Sequence, residues 1–198
     1  MEKLYQKKLM EDYNTIKRIP EEDYLPVFRK LIFRKLPRNH ILKQRDKIDD
    51  RSRYICEGFV GLYEVEDTRD KLHLIFGPTD TAFDPESFKK EQASGAIIKT
   101  LSPTYLFEFT EESEQLLLTQ SPGFIELAHE VNIRIRERHI HQLKIKNLKF
   151  TEGYPKLIEI FPRIQQHIKN QELADFFSIS LSSVERHKSQ IFKNLSDE

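Results

Sequence analysis

The sequence has few of the residues that build covalent or metal-bound frameworks. It contains one cysteine, Cys56, and no tryptophan. A single thiol cannot form an intramolecular disulfide or hold an iron–sulfur cluster, and it fits a reducing compartment. The sequence also lacks an apolar run of about 18 residues and a charged start followed by an apolar stretch, so neither a membrane span nor a signal peptide is expected. We therefore expect a cytoplasmic protein that has no contact with a membrane.

The residues that are present are those of a polar globular chain. Charged residues make up 32% of the sequence and apolar residues 38%. This share of apolar side chains is enough for a folded core, and it is not typical of a disordered chain. The length of 198 residues fits one large domain or two small ones.

The formal net charge is zero, but the charges are unevenly distributed. Residues 132–193 contain 12 Lys and Arg against 6 Asp and Glu, whereas residues 1–131 contain 20 against 24. A basic C-terminal part indicates an anionic partner, although a neutral helical domain can also carry this charge.

The apolar spacing predicts helices first and strands next. Two N-terminal helices are expected, separated by Pro20. In the first helix the residues predicted to share one face are Leu4, Lys8, Met10, Tyr13 and Ile16. In the second helix the predicted inward residues are Leu25, Phe28, Leu31 and Ile32. From residue 33 to residue 110, short runs rich in Ile, Val, Tyr and Phe alternate with turn residues. This pattern predicts an antiparallel sandwich or barrel.

After Thr110 the pattern is helical to the end. Ser121 followed by Pro122 is typical of a helix start, and the helix that follows is predicted to have about 25 residues and a length of about 38 Å. Its apolar residues at coiled-coil spacing are Phe124, Ala128, Val131 and Ile135. Such a helix either packs on its own sheet or forms a homodimer, and the polar interruptions favour the homodimer.

Residues 170–190 have the spacing of a helix-turn-helix. Ala174 is small where the second helix would cross the first, and Ile179 would seal the corner. Ser178 occupies the turn, where glycine is commoner because the backbone there favours φ > 0. Ser180 is predicted to cap the second helix.

The second helix would turn Val184 and Ile191 inward and present hydroxyl, Arg and Lys side chains outward. Hydroxyls and Arg can hydrogen-bond to base edges, and Lys can contact phosphates. The predicted DNA-binding residues are Ser180, Ser182, Ser183, Arg186, His187 and Lys188. The alternative is a helical hairpin with a solvated basic face.

The order of these elements resembles the Crp/Fnr family of bacterial transcription regulators. In the early strands the matching residues are Ile41, Leu42, Asp46, Tyr54, Ile55, Gly58, Leu62 and Tyr63. Arg45 stands where the family usually has glycine. In the C-terminal part the matching residues are Tyr154, Pro162, Leu173, Ala174, Ser180, Val184 and Arg186.

This resemblance implies an α+β fold in three parts. Residues 1–120 would form the N-terminal helices and an antiparallel β-roll, a jelly-roll of the cyclic-nucleotide-binding type. Residues 121–149 would form a long dimerisation helix through Phe124, Ala128, Val131 and Ile135. Residues 150–198 would form a winged helix-turn-helix whose second wing strand is abbreviated or missing.

The resemblance also implies the partners. They are a second copy of the chain and double-stranded DNA with a palindromic operator, and a contact with RNA polymerase is a further expectation. Arg186 stands at the position of the family's base-reading arginine. Leu181 cannot hydrogen-bond to a base edge, so the half-site is expected to differ from those of the best-known members.

The ligand region departs from the cyclic-nucleotide-binding members. Between Gly77 and Thr100 there is neither the Gly-Glu pair nor the arginine that those members use for the ribose and the phosphate. Glu86, Ser87 and Lys89 form only a weak candidate site. We therefore expect no cyclic AMP response, no cofactor, and either an unknown small-molecule effector or none.

The sequence bears on two other classes of function. A protein-interaction module whose helix-turn-helix does not bind DNA is the alternative to a regulator. An enzyme is not expected, because the sequence has no metal-ligand spacing and no nucleophile motif. His139 and His141 are two residues apart on a helix and point to different faces.

Overall fold

Two four-stranded antiparallel sheets and the helices around them make up the computed structural model, which describes residues 1–66, 69–120 and 122–196. The strands are β1 (Ile32–Leu36), β2 (Ile41–Lys43), β3 (Arg51–Glu57), β4 (Val60–Glu66), β5 (Arg69–Phe76), β6 (Thr81–Ala82), β7 (Ile97–Thr100) and β8 (Thr104–Thr110). The helices are α1 (Glu2–Ile16), α2 (Glu21–Phe28), α3 (Pro85–Lys90), α4 (Glu111–Gln120), α5 (Pro122–Lys146), α6 (Phe150–Ile160), α7 (Asn170–Phe176) and α8 (Leu181–Ser196), with a 3₁₀ turn at Ile164–Gln166.

The sheets have the strand orders β1-β8-β3-β6 and β2-β7-β4-β5. We call them the first and the second sheet. Ile55 and Leu106 of the first and Val60 and Ile98 of the second are fully buried in one apolar cluster. The prediction of antiparallel sheets from short alternating runs is therefore confirmed. The tight β3–β4 turn depends on Gly58, which has φ +90° and where a Cβ atom would lie 2.3 Å from a backbone oxygen.

Helices α1, α2, α4 and the start of α5 cover the outer side of the first sheet. The buried face of α1 consists of Tyr5, Leu9 and Tyr13. Leu4, predicted to face inward, is 55% exposed. The tyrosine rings determine which side of α1 faces the sheet, because they bury more apolar area than a leucine. Tyr5 stacks on Tyr105 with ring centroids 5.0 Å apart.

Helix α2 shows a similar shift from the predicted face. Tyr24 and Val27 are buried, whereas Leu25 is 49% exposed and Ile32 is 37% exposed in β1. Leu31 is buried as predicted. The aromatic ring again sets which side of the helix turns inward, since Tyr24 packs edge-on against Phe124 at 5.2 Å.

Helix α5 begins at Pro122 as predicted and has 25 residues. It is attached to the roll by polar side chains along its inner side. Arg138 donates to Asp80 at 2.6 Å. Gln142, which is 2% exposed, donates to Ile75 O at 2.7 Å and accepts from Ile75 N at 3.0 Å. Since β5 is an edge strand, this side chain satisfies backbone groups that no neighbouring strand reaches.

The C-terminal helices share a core with the roll. One apolar cluster contains Phe59 and Leu72 from the roll together with Phe161, Leu173 and Phe176 from the helical part. Residues 122–196 contain helices and the 3₁₀ turn but no strand, so no strand of the predicted wing lies among them. Within the described ranges, no helix is both long and apolar enough to cross a membrane.

Candidate nucleic-acid interface

The turn between α7 and α8 has the predicted geometry. Ser178 has φ +55°, in the left-handed region that usually favours glycine. Its N–H donates to Asp175 O at 3.1 Å, and Ile179 N donates to Ala174 O at 3.0 Å. Serine therefore occupies the glycine position of the turn without loss of the backbone hydrogen bonds.

Ser180 caps α8 as predicted. Its Oγ accepts from Ser183 N at 3.2 Å, and its carbonyl accepts from Val184 N at 3.1 Å. Val184 is fully buried, whereas the side chain of Ile191, the other predicted core residue, lies outside what the structure describes. The cap and Val184 fix the direction in which α8 leaves the turn.

The outward side of α8 presents Ser182 and Arg186, which are both exposed, with Ser183 half-buried beside them. Within the described residues, the Arg186 guanidinium has no hydrogen bond or ion pair. Leu181 is 39% exposed at the start of the helix. This surface combines hydroxyls, one arginine and one apolar side chain, which are groups that can read base edges in a major groove.

Two other predicted contact residues face the protein instead. His187 stacks on Phe150 with centroids 5.9 Å apart. Lys188 donates to Asn170 Oδ1 at 3.0 Å and lies over the Tyr154 ring at 5.6 Å. Burial lowers the pKa of Lys188. The structure therefore does not bring His187 and Lys188 to the exposed surface formed by Ser182 and Arg186.

Helix α7 is held against the second sheet by two polar contacts that the sequence did not indicate. Tyr63 OH donates to Glu172 at 2.8 Å, and Arg69 donates to Asp175 at 2.6 Å. Burial, together with the neighbouring carboxylate of Glu172, raises the pKa of Tyr63. Each contact joins residues more than a hundred positions apart, so no local pattern could have predicted it.

The region of the weak candidate ligand site contains a buried charged cluster. Lys43, 4% exposed, lies 3.4 Å from Asp84 Oδ2 and donates to Ala96 O at 2.7 Å and Ser94 Oγ at 2.6 Å. Asp84 accepts from the backbone N–H of Glu86 at 3.1 Å, at the N-terminus of α3. A carboxylate of the chain itself thus occupies the place where this helix end would bind an anion.

A second ion pair supports the same cluster. Asp49 Oδ2 accepts from Asp84 N at 2.8 Å. Arg53 Nη2 lies 2.9 Å from Asp49 Oδ1, close enough for an ion pair although poorly aligned for a hydrogen bond. Both side chains are buried. We call Lys43, Asp49, Arg53, Asp84 and Ser94 the buried ion cluster.

The three residues of the weak ligand site do not converge. Ser87 is 1% exposed, and its hydroxyl accepts from Asp49 N at 2.8 Å and donates to Gln92 O at 2.6 Å. Glu86 is exposed, and the side chain of Lys89 lies outside what the structure describes. In the described part of the chain, no group of three His, Cys, Asp or Glu side chains is placed to bind a metal ion.

The predicted dimer seam lies on the inner side of α5. Phe124 is 1% exposed and packs against Tyr24, while Ala128, Val131 and Ile135 are half-buried on the side that faces the roll. Phe124 therefore packs within its own chain, against Tyr24 of α2. The exposed apolar residues of α5 lie elsewhere: they are Ile125, Ile140 and Leu143.

Comparison with solved structures connects this architecture to known regulators. The chain is similar to the c-di-GMP-responsive global regulator CLP of Xanthomonas campestris, with a TM-score of 0.64 and 16% identity over 88% of this chain and 93% of that chain. FixK2 from Bradyrhizobium japonicum gives a TM-score of 0.65 and 10% identity over 83% of this chain and 85% of that chain. A protein from Listeria monocytogenes that contains a cyclic nucleotide-binding domain gives a TM-score of 0.65 and 12% identity over 94% of this chain and 91% of that chain.

These structural neighbours are Crp/Fnr family regulators and cyclic nucleotide-binding domains, and they extend over most of the chain. The family indicated by the sequence is therefore the one whose fold the chain has. No protein-family model matches the chain, and no curated protein matches its sequence. At these identities the likeness establishes the fold alone.

Proposed function

We propose that the protein is a dimeric, sequence-specific DNA-binding transcription regulator of the Crp/Fnr type. The observation that carries the proposal is the Ser180-capped helix α8, which follows a tight turn and presents Ser182 and Arg186 outward, with no partner for the guanidinium among the described residues. An arginine can form two hydrogen bonds to the O6 and N7 atoms of guanine. The fold of the neighbouring regulators supports the same conclusion.

The contact residues divide into two groups. Arg186 would read a guanine, and Ser182 and Ser183 would contact base edges or phosphates. Leu181 suits the methyl group of thymine. His187 and Lys188 would reach DNA only after leaving Phe150 and Asn170, so we assign them a secondary role.

We place the dimer interface on the outer side of α5. Ile133 and Ile140 are seven residues apart and Leu143 follows three residues later, which is the spacing of a coiled-coil seam. Ile140 is 45% exposed and Leu143 is 41% exposed. Pairing these residues with a second copy would bury them and place two α8 helices for a palindromic operator.

We further propose that cyclic AMP is not the effector. The N–H groups at the start of α3 bind Asp84, and the charge of Lys43 faces the same carboxylate. A phosphate would have to displace this buried ion pair. Calorimetric titration of the purified protein with cyclic AMP should show no binding at micromolar concentrations, and micromolar affinity would contradict this part of the proposal.

The test of DNA binding starts from a random pool of duplexes. We expect repeated selection with the wild-type protein to enrich a palindrome whose affinity falls steeply with salt concentration. In Arg186→Ala, preference at one base pair of each half-site should be lost, with a cost of about 1–3 kcal/mol per half-site.

The matched control is Arg29→Ala, which removes the same charge from an exposed position at the end of α2. This variant should retain the wild-type preference. Enrichment of no sequence at any salt concentration would favour the protein-interaction module instead. An unchanged preference in Arg186→Ala would show that this arginine does not read a base.

A further inference from the structure

Two side chains of the kind that bind metal ions lie on the outward face of α5, near its start. Glu126 and His129 are both exposed. Residues three positions apart on a helix lie on one face, with their Cβ atoms about 5–6 Å apart. A Glu-x-x-His pair of this kind supplies two of the ligands in the di-metal centres of some four-helix bundles. Each chain therefore presents a carboxylate and an imidazole side by side to the solvent.

The pair lies on the side of α5 to which we assign the dimer interface. We call Ile133, Ile140 and Leu143 of that side the outer seam. Glu126 lies seven residues before Ile133, and His129 lies fourteen residues before Leu143, so both occupy inward positions of the same heptad pattern. Because both helix-turn-helix units must reach one operator, the two α5 helices would run parallel. Each Glu126 and each His129 would then face its own copy across the two-fold axis.

One chain alone does not complete a metal site here. Within the described residues, no three His, Cys, Asp or Glu side chains of a single chain are placed to bind one ion. Two parallel copies would supply two carboxylates and two imidazoles within one helical turn, because three residues rise by about 4.5 Å. Zinc binds four nitrogen and oxygen ligands of this kind in a tetrahedral arrangement. The second copy therefore supplies the ligands that a single chain lacks.

The charges around this pair also favour a cation. Glu126 accepts from Lys17 of α1, but these side chains are 60% and 40% exposed, and such a pair contributes at most about 1 kcal/mol. Glu130, exposed beside His129, adds a second carboxylate to each chain. Pairing would bring together four carboxylates and two ammonium groups, a net charge of −2 when histidine is neutral. A divalent ion would balance this charge.

We propose that two copies of the chain bind one divalent transition-metal ion between their α5 helices, through Glu126 and His129 of each copy, with zinc as the ion that fits these ligands best. The inference rests on the parallel dimer of the proposed function, since the second copy contributes half of the ligands. The ion would join the N-terminal parts of the two helices, where the apolar residues of the outer seam do not reach. Metal binding would therefore strengthen the dimer.

Cobalt(II) and zinc test the proposal with the purified protein in the absence of DNA. We expect one Co²⁺ ion per two chains, with the visible absorption of tetrahedral cobalt, and displacement of the cobalt by zinc, which binds more tightly. Sedimentation equilibrium should show that zinc lowers the dimer dissociation constant by roughly tenfold or more relative to protein in chelator. His129→Ala and Glu126→Gln should each abolish the cobalt spectrum and the effect of zinc. Both residues are exposed, so neither change disturbs the core.

The matched control is His141→Ala, which removes an exposed imidazole of the same helix outside the outer seam; it should bind cobalt like the wild type. A dimer that binds no cobalt, or that keeps the wild-type spectrum in both His129→Ala and Glu126→Gln, would overturn the site and leave the proposed dimer intact. A chain that stays monomeric with and without zinc would overturn the site together with the dimer. Equal dissociation constants in zinc and in chelator would also overturn it.

Discussion

Two buried hydroxyls of the roll differ in their hydrogen bonding, and the effect of this difference on stability can be measured. Thr81 Oγ1 has no partner, whereas Ser87 Oγ connects Asp49 N to Gln92 O. Removing an unsatisfied hydroxyl should stabilise the protein, and removing a satisfied one should leave two backbone groups without a partner.

We therefore expect Thr81→Val to raise the free energy of unfolding by about 1 kcal/mol and Ser87→Ala to lower it by about 2 kcal/mol. Urea denaturation of both variants beside the wild type measures the difference. A decrease in stability for Thr81→Val would indicate that this hydroxyl is hydrogen-bonded in the folded protein.

Asp84 makes the stability of the protein depend on pH. Burial alone would raise its pKa, but the hydrogen bonds from Ser94 and from the Ser87 N–H, with the charge of Lys43, outweigh burial and lower the pKa. A carboxylate with a lowered pKa stabilises the folded state above its unfolded value, about 3.9, and this contribution is lost as the pH falls through the folded pKa.

Asp84→Asn should therefore lose about 3 kcal/mol at pH 7, because Lys43 stays buried without its counter-charge. It should also show a smaller loss of stability below about pH 4 than the wild type. Urea denaturation across this pH range measures both effects. Glu86→Gln, an exposed carboxylate two positions away, is the control and should change stability by no more than about 0.5 kcal/mol. An unchanged acid dependence in Asp84→Asn would mean that another group causes it.

At the scale of elements, α5 offers a test of the dimer. Ile140→Glu places a charge in the outer seam and should give a monomer in sedimentation velocity, because two carboxylates would face each other across the helix pair. The control is Leu4→Glu, which places the same charge on an α1 residue that is 55% exposed. If Ile140→Glu remains a dimer, the interface lies on another surface of the chain.

The elements themselves were largely predictable from local sequence. The capping hydroxyl of Ser180 and the turn at Ser178 act on backbone groups within four residues, so their spacing is visible in the sequence. The short alternating runs predicted the antiparallel sheets for the same reason. Tyr13 and Leu31 are buried as predicted, but Leu4, Leu25 and Ile32 are exposed. The side that turns inward depends on aromatic contacts with β8 and α5, which local spacing does not show.

The candidate site was less predictable, because its side chains form hydrogen bonds with residues far away in the sequence. Lys188 bonds to Asn170, 18 positions earlier, and Ser87 bonds to Asp49, 38 positions earlier. The spacing of Phe124 and the apolar residues that follow it in α5 is typical both of a coiled coil and of a helix packed on a sheet. Sequence periodicity shows that a helix face is apolar, but it does not show which surface covers that face.

At the scale of the whole molecule, the roll and the helix-turn-helix should unfold together. Leu173 is fully buried in the cluster that joins Phe59 of the roll to Phe161 and Phe176 of the helical part. Leu173→Ala should lower the free energy of unfolding by about 3 kcal/mol. Hydrogen exchange under increasing urea should then show β5 and α7 losing protection together. Loss of protection in α7 well before β5 would show that the two parts unfold independently.

The contact of Gln142 with Ile75 limits how α5 can move during any change of state. The side-chain amide reaches both the N–H and the carbonyl of one residue on the free edge of β5. Sliding the helix by one turn, about 5.4 Å, would leave both backbone groups buried and unpaired. Gln142 therefore opposes sliding of α5 along the edge of β5, and we expect the helix and this edge to move together in any change of state.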